Sequence, residues 1–220
     1  MPTPMKAIAL LPSALLALLC SAPASALIDV YPKEIEVRDE AVQVTVSNQG
    51  DRPEYVSVSL SRLLNPGVPL RDEKLEPIGQ TTAPTLYAAP FQMSLSPGQS
   101  KRIALKPLDG VKVEQVYRLV VKPEVGKMET GRQQMAGMVV VNIAYSALVR
   151  QVPEDRESAI QVECVAEGAR ITATGTVRHR VERAQVDGRE IDAFNVYPGT
   201  PRLLRGARVA VPGQPACGPG

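Results

Sequence analysis

Side chains able to do acid–base or nucleophilic chemistry are few in this sequence. The one histidine, His179, lies between Arg178 and Arg180. A Ser-His-Asp arrangement would therefore use an imidazole that two cations push towards deprotonation, with no evident acid to orient it. The sequence contains no glycine-rich phosphate loop and no H-E-x-x-H pattern. We predict no catalytic residues, no cofactor and no enzyme activity, and we interpret the run around His179 as the solvated face of a strand.

The cysteines favour a structural disulfide over a metal-binding site. The chain has three, Cys20, Cys164 and Cys217, and the first lies in an N-terminal segment that we expect to be removed. An isolated pair in an exported chain most often forms one disulfide. In the chain-entropy model, closing a loop of about 50 residues stabilises the fold by roughly 4 kcal/mol. A metal site is the weaker interpretation, because His179 has no ligand-spaced partner.

Residues 1–26 are typical of a secretory signal peptide. Lys6 provides the positive start, Ala7–Leu19 is an apolar run too short to span a membrane comfortably, and Ala24-Ser25-Ala26 matches a small-residue cleavage site. A lipoprotein anchored at Cys20 is the alternative, which the bulky Leu19 disfavours. We therefore expect an exported chain of 220 − 26 = 194 residues without stable membrane insertion.

The charge balance of the expected mature chain is close to neutral. The full sequence has 25 Lys+Arg and 23 Asp+Glu, and removal of Lys6 leaves 24 against 23. A general nucleic-acid binder would carry a basic excess. We therefore expect no nucleic-acid partner.

One stretch, Gln133–Pro153, alternates over an unusual length. Val139, Val141, Ile143 and Tyr145 share one face, which predicts a β-strand from about Gln134 to Val149. An ordinary strand has about five or six residues. Such a strand either crosses the core of a large sandwich or pairs with another chain, as in peptide recognition by strand addition. Periodicity alone favours the core.

The remaining pattern predicts an all-β protein. About seven short strands separated by turn residues lie between Leu27 and Gln151, with a long Pro- and Gly-rich loop at Asn65–Thr85 that carries at most one short strand. This is typical of an immunoglobulin-like sandwich. The cysteine pair and intervening tryptophan of antibody domains are absent from Leu27–Gln151. The charged, Pro-containing segment Val152–Asp155 is the predicted boundary, giving domains at 27–151 and 152–220. The expected strands of the second unit are Ala159–Val165, Ala169–Thr174, Thr176–Val186, Ile191–Val196 and Leu203–Val211.

Five sequence fragments, in their order and spacing after a signal peptide, carry a family resemblance. They are Tyr31-Pro32, Leu64–Gly67, Leu95–Ile103, Glu114–Arg118 and Val141–Arg150. With them the chain resembles the periplasmic chaperones of the chaperone–usher pathway, in particular the alternate branch that serves colonisation-factor-type fimbriae. The resemblance covers Leu27 to about Pro153 well and the rest poorly.

The resemblance implies a fold and a mechanism. Two immunoglobulin-like domains would form an L or boomerang, with a second domain that is short or divergent because only 69 residues follow Gln151. The long strand would be the seventh of the first domain. Its residues Val139, Val141 and Ile143 would fill the groove of a pilin subunit that lacks its own last strand. The partners would be pilin subunits, a tip adhesin and the outer-membrane usher that receives the subunit.

The family also anchors the subunit's terminal carboxylate with basic residues between the domains. Here the sequence departs from the classical branch of the family: Ser146 stands where that branch has its cleft lysine, and Glu34 stands near its first-strand arginine. The resemblance leaves Arg118 and Lys33 as anchor candidates, and an arginine fork suits a carboxylate. It also implies an ion pair between Arg150 and Glu114. A structural or adhesive immunoglobulin-like module of the cell surface is the alternative function.

Overall fold

The computed structural model describes residues 28–124 and 143–218 of the chain. Within these ranges the protein consists of β-strands and connecting loops, with short 3-10 turns at Leu70–Asp72 and Ile78–Gln80. None of the helices in these ranges is long and apolar enough to cross a membrane. The prediction of an all-β fold is confirmed.

The first ten strands form two sheets. They are β1 (Ile28–Tyr31), β2 (Glu34–Val37), β3 (Val42–Asn48), β4 (Glu54–Leu63), β5 (Leu75–Pro77), β6 (Leu86–Ala89), β7 (Gln92–Leu95), β8 (Ser100–Pro107), β9 (Gln115–Pro123) and β10 (Tyr145–Gln151). One sheet has the order β1-β3-β8-β6, and the other has the order β2-β10-β9-β4-β5 with β7 also pairing with β4. Every pair is antiparallel except β2 with β10, which is parallel.

A single apolar core lies between the two sheets. Alternate residues of each strand point inwards, as the period of two requires. The fully buried ones include Val44, Ile103 and Leu105 from the first sheet and Leu119 and Val149 from the second. The immunoglobulin-like sandwich predicted from the alternation is therefore confirmed. Its core is mostly aliphatic and contains neither the disulfide nor the tryptophan of antibody domains.

The chain changes sheets at Pro32. Strand β1 belongs to the first sheet and β2 to the second, and both lie at sheet edges. Proline lacks the N–H that a continuous central strand would use, so it suits this crossing. The crossing places β2 beside β10, the end of the long alternating stretch.

The segment between β4 and β8 differs from the sequence prediction in two places. The long loop at Asn65–Thr85 does contain one short strand, β5, but Leu86–Ala89 directly after it forms β6, which the pattern does not predict. Two of the four residues of β6 are alanines, and Pro90 follows directly, so local β-propensity is low there and pairing with β8 decides the conformation. Phe91, which alternates with Met93 and Leu95 in the sequence, precedes β7 and is 49% exposed.

The C-terminal part has three smaller sheets. Its strands are β11 (Ile160–Val165), β12 (Gly168–Ala173), β13 (His179–Val181), β14 (Gln185–Val186), β15 (Arg189–Glu190), β16 (Phe194–Val196), β17 (Arg202–Arg205) and β18 (Val209–Ala210). The expected single strands Thr176–Val186 and Leu203–Val211 are each divided in two. The chain turns within them: Arg183 takes a positive φ, and the backbone of Gly206 bonds to Glu167. The predicted disulfide between Cys164 and Cys217 is present.

A buried polar cluster around Tyr117 gives a first testable prediction. The Tyr117 hydroxyl lies 2.8 Å from Thr85 Oγ1 and donates to Gln115 Oε1 at 2.8 Å. Burial raises the pKa of Tyr117, which a hydrogen bond with Thr85 partly offsets. We expect Tyr117→Phe to lower the free energy of unfolding by about 1 kcal/mol near neutral pH, as measured by urea denaturation.

The pH dependence provides the control for this variant. Because the pKa is raised in the folded state, the tyrosine's contribution is fully present below its unfolded pKa of about 10 and is lost as the pH rises above that value. The stability gap between wild type and Tyr117→Phe should therefore narrow above about pH 10. A gap that widens with pH would contradict the assignment.

Candidate functional site: an open strand edge and the adjoining cleft

Strand β10 is paired along its whole length on one side only. Tyr145–Gln151 pairs with Gln115–Val121 of β9. On the other side, the parallel ladder with β2 begins at Leu148, where the Leu148 N–H donates to the Lys33 carbonyl at 2.9 Å. Within the described ranges, no strand pairs with Tyr145–Ala147 on that side. This half of β10 is an open edge able to accept an added strand.

The apolar face of β10 passes from the core to solvent at this open edge. Val149 is fully buried, Ala147 is 2% exposed, and Tyr145 is partly buried against the same core. Ile143 is 55% exposed and precedes β10 without strand conformation, so within the described residues the predicted strand begins only at Tyr145. The face predicted for binding is thus a continuation of the core face beyond the end of the sandwich. Two of its predicted members, Val139 and Val141, lie outside the described residues, as does the predicted strand before Ile143.

The two anchor candidates lie in different surroundings. Arg118, on β9, lines a cleft between the ends of β4, β9 and β10 and the C-terminal part. Its Nε donates to Glu73 Oε2 at 2.8 Å, and its Nη2 donates to Glu73 Oε1. Hydrogen bonding to Glu73 raises the pKa of Arg118. Lys33 is mostly exposed, lies 3.7 Å from Asp29 and is not among the residues lining the cleft.

The cleft has a volume of about 270 Å³. Leu63, Arg118 and Leu148 form its wall on the sandwich side, and the C-terminal part contributes the opposite wall. Another cavity, about 320 Å³ near Tyr55 and Met93, has no lysine, arginine or histidine among its lining residues. The cleft is therefore the better candidate for an anionic group.

Sequence reasoning missed two residues of the opposite wall. The Arg202 guanidinium lies 4.1 Å from the centre of the Phe194 ring, and burial lowers the pKa of Arg202. No carboxylate of the described residues pairs with it. The neighbouring Asn195 has a buried Oδ1 without a hydrogen-bond partner in the same described part. No motif or periodicity marks these residues, because only the packing of β16 and β17 brings them to the cleft.

Comparison with known proteins identifies the fold. No family model matches the chain. A solved structure of the class 5 fimbriae chaperone CfaA superposes with a TM-score of 0.66 at 22% identity, covering 84% of this chain and 90% of that one. The chain has the fold of the fimbrial chaperones. A chain from the chaperone–tip adhesin complex of CFA/I fimbriae superposes with a TM-score of 0.65, also at 22% identity, covering 84% and 94% of the two chains.

Two curated proteins of Escherichia coli also align with the sequence. A fimbrial subunit protein of the CS1 system is 26% identical over 160 residues, covering 70% of this chain. A fimbrial subunit protein of the CFA/I system is 27% identical over 137 residues, covering 60% of this chain. The alignments span 66% and 56% of the two relatives, which is less than two thirds of the length of each.

In this fimbrial-chaperone fold, an ion-pair network joins the sandwich to the C-terminal part. Arg150 donates to both carboxylate oxygens of Glu114, at 2.6 and 3.1 Å, and the Glu114 side chain is fully buried. Glu114 also accepts the backbone N–H of Arg178 at 2.7 Å. The Arg178 side chain donates to Glu34 at 2.6 Å, and Arg156 pairs with Glu36. The structure thus brings together Arg150 and Glu114, the pair expected from the resemblance.

Proposed function

We propose that the protein is a periplasmic chaperone, without enzymatic activity, that binds fimbrial subunits by lending them the first half of its long strand. The observation that carries the proposal is the open edge at Tyr145–Ala147, from which a core-facing row continues outwards to exposed Ile143. A fimbrial protein that lacks one strand would gain main-chain hydrogen bonds from this edge and apolar contacts from Val139, Val141 and Ile143.

The comparisons support the same class of partner. A neighbour in fold is a fimbrial chaperone, another comes from a chaperone–tip adhesin complex, and a third is the chaperone of a complex with the SafA pilin. We infer that the partners of this protein are fimbrial subunits, including a tip adhesin, and an outer-membrane usher that accepts them. Location in the periplasm follows from the signal peptide predicted at residues 1–26 and agrees with the periplasmic chaperone SfaE, which shares the fold.

The proposal assigns separate tasks to the two parts of the chain. Residues 27–151 form the strand-lending domain, and residues 152–220 form a smaller domain that closes one side of the cleft. Arg118 holds the subunit's carboxylate within the cleft. Lys33 is the weaker anchor candidate, because it lies outside the residues that line the cleft.

Co-expression tests the proposed function directly. The protein is produced in the periplasm together with a secreted fimbrial subunit, and a tag on the chaperone alone is used for purification. We expect a stable one-to-one complex, with the fimbrial protein protected from proteolysis only when the chaperone is present. An uncomplexed, degraded fimbrial protein would contradict the proposal. Self-assembly of the purified protein into fibres would favour a structural surface module.

A further inference from the structure

Arg118 already holds a carboxylate, that of Glu73. Two nitrogens of the guanidinium fork pair with the two oxygens of the Glu73 side chain. The Glu73 side chain is 4% exposed and that of Arg118 is 18% exposed. This paired geometry is how arginine recognises any carboxylate, whether it belongs to the same chain or to a ligand.

Glu73 reaches Arg118 from a loop that is otherwise on the surface. The 3-10 turn preceding it has no buried residue, and Leu70 is 68% exposed. Asn65 holds the loop in place, since its Oδ1 accepts the Lys74 N–H at 2.6 Å and its Nδ2 donates to the Asp72 carbonyl at 2.9 Å. A segment with few buried apolar contacts opens at a low free-energy cost.

We propose that Glu73 is an internal occupant of the Arg118 site, and that a ligand carboxylate must displace it. For the identity of that ligand, a fimbrial subunit's terminal carboxylate, the inference rests on the proposed function. The displacement itself depends only on Arg118, Glu73 and their loop.

The internal pair makes the Arg118 site selective for a carboxylate that belongs to a chain already bound at β10. An intramolecular competitor has an effective concentration in the millimolar range or above, so it lowers the apparent affinity for any free carboxylate. A ligand that also pairs with the open edge of β10 is held near the cleft, and its own effective concentration offsets that of Glu73. Small carboxylates therefore bind weakly, whereas a chain bound at both places is retained. Arg202, which has no carboxylate partner within the described residues, lines the same cleft and adds to its positive charge.

The test uses a small probe, so that it does not depend on any fimbrial protein. N-acetylalanine, which has a free carboxylate, and its neutral amide are titrated into the full-length mature protein, and the Arg118 Nε–H signal is followed by NMR. We expect Glu73→Gln to bind N-acetylalanine about tenfold more tightly than the wild type does, because the substitution removes a charge-assisted pair. The amide should bind neither protein measurably.

Asp72→Asn is the matched control. It removes the same charge one residue away, where the only ion pair of the Asp72 side chain within the described residues is an exposed contact of 3.7 Å with Arg71. We expect it to bind N-acetylalanine as the wild type does. A second measurement needs no variant: saturating N-acetylalanine should shift the wild-type Arg118 Nε–H together with the amides of residues 70–75, which report release of the loop.

Three outcomes would overturn the inference. These are an unchanged affinity in Glu73→Gln, an equal gain in Asp72→Asn, or a Glu73→Gln chain that does not fold, since a displaceable group is not required for folding. None of them affects the proposed function, which depends on subunit capture at β10. Conversely, the proposed function is refuted if the wild type captures no subunit while Glu73→Gln still binds N-acetylalanine more tightly than the wild type does. That result would still support a carboxylate site at Arg118 that Glu73 occupies.

Discussion

The double variant Val141→Asp/Ile143→Asp should fold normally and lose the ability to hold a fimbrial subunit. Ile143 is 55% exposed, so an aspartate there removes little from the core of the free protein. Val141 lies outside the described residues, and the two-residue alternation of the sequence predicts that it shares the face of Ile143. In the complex both carboxylates would enter an apolar groove without partners, at a cost of several kcal/mol, so we expect the affinity to fall by about 100-fold or more. Co-purification of the fimbrial protein with tagged chaperone measures the effect.

The control for this prediction lies on the opposite face of the same strand. Ser146 is exposed and points away from the row that contains Ile143. Ser146→Asn changes a nearby exposed side chain without adding a negative charge close to the proposed carboxylate anchor, and it should retain the subunit much better than the double variant does. Circular dichroism and thermal unfolding check the fold of each protein. If the double variant unfolds, its two residues belong to the protein's own core and the strand-lending mechanism is wrong.

The second large effect should come from the buried carboxylate Glu114. Its side chain has no exposed surface and accepts hydrogen bonds from Arg150 and from the backbone N–H of Arg178. Glu114→Gln keeps the shape but removes the charge, which leaves Arg150 with partners that are more exposed, Glu36 at 3.3 Å and Glu34 at 4.0 Å. Breaking a buried pair by removing one partner costs about 3 kcal/mol or more, which urea denaturation would show as a lower midpoint.

Glu163 provides the comparison for Glu114. It pairs with Arg170 at 3.5 Å, and both side chains are at least half exposed. Glu163→Gln should change the free energy of unfolding by less than about 0.5 kcal/mol. Hydrogen exchange adds a local measurement, because the Arg178 amide should exchange faster in Glu114→Gln and at the wild-type rate in Glu163→Gln. Equal effects of the two substitutions would show that Glu114 does not connect the sandwich to the C-terminal part.

Much of the fold follows from local patterns in the sequence. A period of two over β3, β4, β8 and β9 places aliphatic side chains on one face, and such strands can only bury that face against another sheet. The pairing of Cys164 with Cys217 needed only a count of cysteines in an exported chain. Where local propensity is weak, as in the alanine-containing β6, the pattern does not indicate the strand, because pairing with β8 determines it.

The open edge of β10 could be identified only from the tertiary structure. The alternation of Val139, Val141, Ile143 and Tyr145 is the same whether a strand is buried or open, so periodicity favours the core. Only the register of β10 with β2 shows that this ladder begins at Leu148, and that no strand of the described part of the chain pairs with Tyr145–Ala147 on that side.

Residue types and short-range spacing were sufficient to predict the β-sandwich and the disulfide, whereas of the long alternating strand only the part from Tyr145 onwards lies in a described strand. Which charged side chains lie together in the cleft depends instead on tertiary packing. Glu73 lies 45 residues before Arg118 and in a stretch that the pattern marks only as a loop, yet the two side chains form a closed pair. Arg202 reaches the same cleft from the C-terminal part. Contacts between residues so far apart depend on how the sheets pack, which no local pattern encodes.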